Sequence, residues 1–173
     1  EALFRSLSES ARDAIILLDP AGRIAHWNPG AEGMFGYGQA EALGQALHHL
    51  LPPARYRAEA EAGFARFRST GTGPVIGKTL ELEALHKDGQ VIAVELSLSA
   101  VKREDGWYAM GIMRDITARR AAEEQLRKLA QAVEQSSESI AITDLDANIE
   151  YVNEAFLKNT GYGRAEVIGQ NPR

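Results

Sequence analysis

The chain has 173 residues, with 19 lysines and arginines against 24 aspartates and glutamates, a formal net charge of −5 and no cysteine. A content of 45% hydrophobic and 25% charged residues is typical of a globular protein and argues against disorder, and the acidic balance argues against nucleic acid as a partner. Without cysteine there is no disulfide, zinc–thiolate site, iron–sulfur cluster or flavin–cysteinyl photoadduct, and no apolar run approaches the roughly 20 residues that span a bilayer.

The chain opens with a predicted helix and a strand hairpin. Leu3, Phe4 and Leu7 have the spacing of one face of a short amphipathic helix. The apolar run and the second short strand within residues 14–27 are separated by turn residues at 19–22, which predicts a hairpin. The start of the chain does not have the pattern of a signal peptide, so we expect a soluble fragment of something longer.

Helices follow the hairpin. Asn28 is a predicted N-cap with Pro29 at the first helical position, and this helix should end at Gly36. Short helical turns are expected as far as Leu51. A longer helix should then end at Gly71, with an apolar stripe at spacings of four, four and three, formed by Tyr56, Ala60, Phe64 and Phe67.

Three antiparallel strands complete the first part of the chain. Apolar and polar residues alternate at 80–84 and again at 92–98, with a hairpin turn at 87–89. A further turn at 104–106 leads into the last strand, residues 107–113.

A segment rich in helix formers follows this strand and predicts a linker helix. Its apolar residues recur at spacings of four, three and four, a heptad pattern sustained for about two repeats, at Ala122, Leu126, Leu129 and Val133. The pattern fits a coiled coil, and it also fits a helix that packs on its own domain.

The sequence repeats itself at an offset of 125 positions. Ile15 matches Ile140, Asn28 matches Asn153, and the tripeptide at 36–38 matches that at 161–163. We therefore predict one complete unit over residues 1–117, a helical linker over 118–138, and the first part of a second unit over 139–173.

Three segments in order resemble the PAS domain family. Residues 24–37 resemble its opening signature, residues 87–89 its late hairpin, and residues 113–117 its closing Asp-Ile-Thr motif. The resemblance implies an α+β PAS fold, that is, a five-stranded antiparallel sheet flanked by helices. A signalling helix and an incomplete second PAS unit should follow it.

The resemblance also implies a function. PAS domains of this kind are cytoplasmic sensory modules, so we expect a homodimer that pairs through the linker helix and regulates an output domain of the parent protein. The parent is expected to be a two-component sensor histidine kinase; a diguanylate cyclase or phosphodiesterase-linked sensor and a ligand-free structural scaffold are the alternatives. The chain itself is not expected to be an enzyme, because no acid–base, phosphate or metal constellation emerges.

A space between sheet and helices can hold a small ligand or be filled by a plain apolar core, and the sequence does not separate the two. The residues expected to face this space are apolar and come from both layers: Ile16, Trp27, Phe35, Phe64, Phe67, Leu82, Val94, Leu96, Met110 and Ile112.

The resemblance raises two possible cofactors, haem and flavin. In the haem-binding oxygen sensors that residues 56–71 partly resemble, a histidine on the long helix ligates the iron. Ala60 stands at that position, and alanine cannot bind iron, which argues against haem. Non-covalent flavin needs no cysteine and stays open as a cofactor.

The junction at Asp115, Ile116 and Thr117 is the expected point of signal transmission, because it joins the last strand to the linker helix. Thr117 is a predicted N-cap, and Asp115 suits a helix start. The incomplete second unit lacks three strands, so we expect it to be ordered by packing against another chain.

Overall fold

A computed structural model describes residues 2–172 of the chain, except for the side chains of residues 2–5. The predicted apolar face of the first helix therefore rests partly on Leu3 and Phe4, whose side chains lie outside the described residues. Contacts divide the chain into two compact units, Glu1–Ala118 and Arg119–Arg173.

The first unit is a sheet with helices before, between and after its strands. In chain order its elements are α1 (Ala2–Ser10), β1 (Ala14–Leu18), β2 (Ile24–Trp27), α2 (Pro29–Phe35), α3 (Gln39–Ala42), α4 (Leu47–Leu50), a 3₁₀ turn (Ala54–Tyr56), α5 (Arg57–Thr70), β3 (Thr79–Leu85), β4 (Val91–Arg103) and β5 (Gly106–Asp115).

The five strands form one antiparallel sheet in the order β2-β1-β5-β4-β3. The predicted α+β architecture is confirmed. The β4–β5 hairpin is longer than the sequence suggested, because its ladder continues from Val94 opposite Asp115 as far as Arg103 opposite Gly106.

Short polar and glycine signals set the ends of the helices. The Asn28 side chain accepts a hydrogen bond from the Ala31 N–H at the start of α2, and Gly36 ends the helix in the left-handed conformation. Gly71 ends α5 in the same way, with φ +69°. These are the boundaries that the sequence predicts.

The second unit contains α6 (Thr117–Glu134), which begins at the end of the first unit, followed by β6 (Ala141–Thr143), β7 (Ile149–Val152), α7 (Glu154–Thr160) and α8 (Arg164–Val167). β6 and β7 form an antiparallel hairpin. Its core is small, with three buried apolar residues, Ile149, Val152 and Val167, among those described.

The sequence repeat is also a structural repeat. At the offset of 125, β7 falls on β2, α7 on α2 and α8 on α3, each with the same first and last positions. Asn153 caps α7 by accepting from the Phe156 N–H, as Asn28 caps α2. Equivalent sequence signals therefore give equivalent local structure in the two units.

Candidate functional site

The space between the sheet and the helices of the first unit is occupied by a single apolar cluster. Eight of the ten residues predicted for this space belong to it. Six are buried, namely Ile16, Trp27, Phe35, Phe67, Val94 and Leu96, and two are partly buried, Phe64 and Leu82.

Trp27 and Phe35 are fully buried at one end of this cluster. Their ring centroids are 5.7 Å apart at an interplanar angle of 46°, and the Trp27 indole N–H donates to the Tyr37 carbonyl at 3.0 Å. A tilted ring contact, together with a hydrogen-bonded indole N–H, is typical of a closely packed aromatic pair.

Met110 and Ile112 lie on the opposite face of the sheet, and their assignment to the inner space is wrong. Buried residues on β5 alternate as Ala109, Gly111 and Met113, so the residues between them point outward, and Ile112 is 39% exposed. Gly111 faces inward opposite Leu98. Because this inward position is a glycine, the pattern of side-chain polarity along β5 does not show which face is buried.

The helix α5 contacts the cluster through two aromatic rings. Phe67 is buried, Phe64 is partly buried, and their centroids are 5.8 Å apart. The ring of His48 on α4 lies 5.2 Å from that of Phe64. Burial lowers the pKa of His48, which favours its neutral form.

At the position on α5 where the resemblance expects a haem-ligating histidine, the chain has Ala60. Ala60 lies on α5 within the stretch whose aromatic rings face the cluster, and it offers no donor atom to iron. His48 is directed at the Phe64 ring. Within residues 2–172, no group of three or more His, Asp or Glu side chains is arranged to bind a metal ion.

A close contact joins the end of α5 to the start of β5, and sequence analysis missed it. A Cβ atom on Gly71 would lie 2.3 Å from Cδ2 of Trp107, so the indole packs directly against the glycine backbone. The sequence indicates Gly71 only as a helix end and Trp107 only as a strand residue. Because the two are 36 positions apart, no local pattern could link them.

The predicted transmission junction is a connected set of hydrogen bonds between β4, β5 and α6. The Asp115 carboxylate accepts from the Thr117 N–H at 2.8 Å, which satisfies a helix N-terminal donor. The Ile116 N–H donates to the Ala93 carbonyl at 2.9 Å, and the Ala93 N–H donates to the Thr117 hydroxyl at 3.2 Å. Ile116 itself is 4% exposed.

The roles within this junction differ from those expected. Thr117 is the first residue of α6, and its hydroxyl binds β4; Asp115 supplies the oxygen that caps the helix. The side chains of this motif therefore tie the first turn of α6 to two neighbouring strands.

Three of the four predicted heptad residues are exposed. Ala122, Leu126 and Leu129 lie on the surface of α6, with Leu126 67% and Leu129 57% exposed, whereas Val133 is half-buried. Apolar side chains spaced along one stripe of a helix leave an apolar surface that water does not favour.

A family profile described as PAS domain matches residues 12–118 and 137–173. The chain belongs to the PAS domain family. Among curated proteins it is 30% identical, over 98% of its length, to the oxygen sensor protein DosP of Escherichia coli, and 26% identical, over 99%, to the sensor histidine kinase TmoS of Ectopseudomonas mendocina.

Among solved structures, 68% of the chain matches 99% of the PAS domain of a Colwellia psychrerythraea protein, at 28% identity and a TM-score of 0.55. The chain spans only 21% of DosP and 18% of TmoS. The family and these relatives identify it as a PAS sensory region related to signal-transduction proteins. No helix within the described residues is both long enough and apolar enough to cross a bilayer.

Proposed function

We propose that this chain is the cytoplasmic sensory and dimerisation region of a sensor histidine kinase. In this proposal the first unit detects a small ligand or a redox state, and α6 carries the signal to an output domain. The observation that carries the proposal is the junction at residues 115–117, which bonds the first turn of α6 to both β4 and β5. The 26% identity to TmoS supports the kinase output.

The apolar cluster supports the detection step. Phe64 is partly buried beside Phe67 and His48, at the end of the cluster formed by α5. Because the apolar cluster fills the space between sheet and helices, a ligand entering there would have to displace α5, and the Gly71–Trp107 contact would transfer the displacement to β5. A small organic ligand or a non-covalently bound flavin suits this position, since neither needs cysteine or a metal ligand from the protein.

The exposed stripe of α6 supports the dimer. Leu126 and Leu129 occupy adjacent core positions of the heptad, and a second α6 would cover both. A rotation or register shift of paired helices is then the signal that reaches the output domain.

The full-length parent protein tests this function. Its autophosphorylation by ATP is measured in aerated buffer and in buffer containing dithionite, a probe of the redox form of the hypothesis. Wild-type protein should respond. The Asp115→Ala variant should lose the response, while the unfolding free energy falls by only about 1 kcal/mol, the usual value of a helix cap.

Asp105→Ala is the matched control, since Asp105 is an exposed carboxylate of the same unit that accepts from the Tyr108 hydroxyl at 2.8 Å. It should keep the response. Intact regulation in Asp115→Ala would contradict transmission through the junction, and a wild-type protein that takes no phosphate from ATP would contradict the kinase output. Native mass spectrometry with an absorption spectrum of the purified chain tests for a bound ligand or flavin.

A further inference from the structure

Two buried asparagines hold the same position in the two units. Asn28 is 1% exposed and Asn153 is 0% exposed, and they are related by the offset of 125. Each follows the second strand of its hairpin and begins the next helix. In both side chains the amide oxygen and the amide nitrogen are hydrogen-bonded to backbone groups.

In the first unit, Asn28 connects three segments. Its carbonyl oxygen accepts from the Ile15 N–H at 2.8 Å and from the Ala31 N–H at 3.0 Å. Its amide nitrogen donates to the Ser8 carbonyl at 2.9 Å and to the Asp13 carbonyl at 3.0 Å. The acceptor half of the side chain therefore serves β1 and α2, and the donor half holds the end of the preceding helix α1.

In the second unit, Asn153 repeats these bonds at equivalent positions. Its oxygen accepts from the Ile140 N–H at 2.9 Å and the Phe156 N–H at 3.0 Å. Its nitrogen donates to the Val133 carbonyl at 3.1 Å and the Glu138 carbonyl at 2.8 Å. Val133 lies in the last turn of α6, whose carbonyls have no partner within the helix.

A second set of contacts reinforces this attachment in the second unit. Glu134, the last residue of α6, accepts from the Tyr151 hydroxyl of β7 and from the Arg164 guanidinium at 2.9 Å. Arg164 also donates to the Val152 carbonyl at 2.7 Å. In the first unit the position of Tyr151 is held by His26, whose ring nitrogen lies 2.7 Å from the Ser8 hydroxyl. Gln39, at the position of Arg164, donates to the Trp27 carbonyl at 2.9 Å. The two units thus share the asparagine and this contact to a strand carbonyl, and the charged bonds to Glu134 are particular to the second unit.

We propose that the last turn of α6 is the input element of the second unit, and that Asn153 and Glu134 are the positioning residues through which that unit receives a movement of α6. The inference rests on the proposed function, because it names the receiver of the signal that α6 carries. α6 is attached by its first turn to the strands of the first unit and by its last turn to the hairpin of the second. In this proposal a change in the last turn of α6 acts first on the bonds to β7 and to the start of α7.

The variant Asn153→Asp separates attachment from capping. An aspartate keeps the oxygen that caps α7 and accepts from the Ile140 N–H just before β6, and it is an equally good N-cap. It has no N–H to donate, so the bond to the Val133 carbonyl of α6 is lost, together with the bonds to the Ser136 and Glu138 carbonyls that follow the helix. Asn159→Asp is the matched control, since Asn159 is an exposed amide on α7 that donates to the Ser139 hydroxyl at 2.9 Å.

The measurement is amide hydrogen exchange on the 173-residue chain, with Asp115→Ala as the perturbation of the first turn of α6. In otherwise wild-type protein, Asp115→Ala should change exchange in residues 149–152 by about fivefold, the factor of one ordinary hydrogen bond. In the Asn153→Asp background the same perturbation should leave residues 149–152 unchanged, although α7 stays protected. The Asn159→Asp background should respond as wild type does.

The outcomes separate the two proposals. If Asp115→Ala never alters residues 149–152, transmission through α6 is wrong. If it alters them equally with and without the Asn153 amide, transmission stands and the role of Asn153 is wrong. Should Asn153→Asp unfold the second unit, Tyr151→Phe is used instead. This variant removes one hydrogen bond to Glu134 while it keeps the packing of the ring, and it should reduce the response of residues 149–152 to Asp115→Ala. An undiminished response would overturn the role of Glu134.

Discussion

The turns of the two hairpins have the same backbone with different residues. Gly22 in the first unit has φ +79°, and its equivalent in the second unit, Ala147, has φ +64°. A residue with a Cβ atom is strained in this left-handed region, by roughly 1–2 kcal/mol. The second unit therefore carries a strain that the first avoids.

Substitutions at these two positions should change stability in opposite directions. Ala147→Gly should stabilise the second unit by about 0.5–1 kcal/mol, because relief of strain exceeds the added entropy of the unfolded glycine. Gly22→Ala should destabilise the first unit by at least about 1 kcal/mol, since its Cβ would also lie 2.9 Å from Cε1 of Phe64. Exchange rates of core amides in each unit measure both effects, and equal shifts of the same sign would contradict the strain argument.

Single residues also show which parts of the site can be predicted from the sequence. Asn28, Gly36 and Gly71 act through local backbone conformation, so their caps could be predicted from sequence alone. The donor half of Asn28 reaches Ser8, 20 positions away, and no helix or strand period encodes that contact. The repeat at Asn153 was the available signal, because a polar residue kept at a buried position in both copies needs partners in both.

At the scale of whole elements, the strands were predictable and their facing was not. β1 is apolar at every position, Ala14 to Leu18, and β5 carries Met110 and Ile112 on one face with Ala109 and Met113 on the other. Alternation along a sequence shows which face of a strand is buried only where the two faces differ in polarity. The pairing of Leu96 with Met113, which settles the question, is a long-range register.

Helix α6 offers a prediction of its own, which the absence of native cysteine makes clean. If two α6 helices pair in parallel through the heptad stripe, Leu126→Cys should form a disulfide-linked dimer under mild oxidation, because core positions of a parallel pair face each other. Gln131→Cys, on the opposite side of the helix, is the control and should stay monomeric on a denaturing gel. Equal cross-linking at both positions, or none at 126, would contradict the dimer.

At the scale of the whole molecule, the two units differ in how much core they bury. Sixteen buried residues form the cluster of the first unit, against three in the second among the residues described. Within the same residues, the hairpin β6–β7 is a two-stranded sheet, and such hairpins are marginal in water. The second unit should therefore open first under any mild stress.

Low pH should destabilise the second unit through the carboxyl group of Glu134. The hydrogen bond from Tyr151, with the guanidinium of Arg164 nearby, lowers the pKa of Glu134. A carboxyl group whose pKa is lower in the folded state stabilises the protein above its unfolded pKa, and this contribution is lost as pH falls through the folded value. On titration from about pH 7 to about pH 3, amides of the second unit should lose protection before those of the first.

Glu134→Gln tests the cause of this acid response. A glutamine cannot ionise, so the variant should be less stable at neutral pH and should lose part of the pH dependence of the second unit. Protection that disappears in both units at one pH would contradict the prediction, as would an unchanged titration in Glu134→Gln. Exchange followed by mass spectrometry at each pH reports the two units separately.

The attachment of α6 at both of its ends also constrains how its length can change. Each residue inserted between Thr117 and Glu134 turns Glu134 about the helix axis by roughly 100° relative to Thr117 and moves it about 1.5 Å along the axis. One inserted residue would thus turn Glu134 and the Val133 carbonyl, with the hairpin bound to them, away from their direction relative to Thr117, whereas seven, close to two full turns, would nearly restore it. We therefore expect insertions or deletions of about seven residues in this helix to be tolerated better than shorter ones. A change of about seven residues preserves the rotation of Glu134 relative to Thr117, whereas a change of one residue does not.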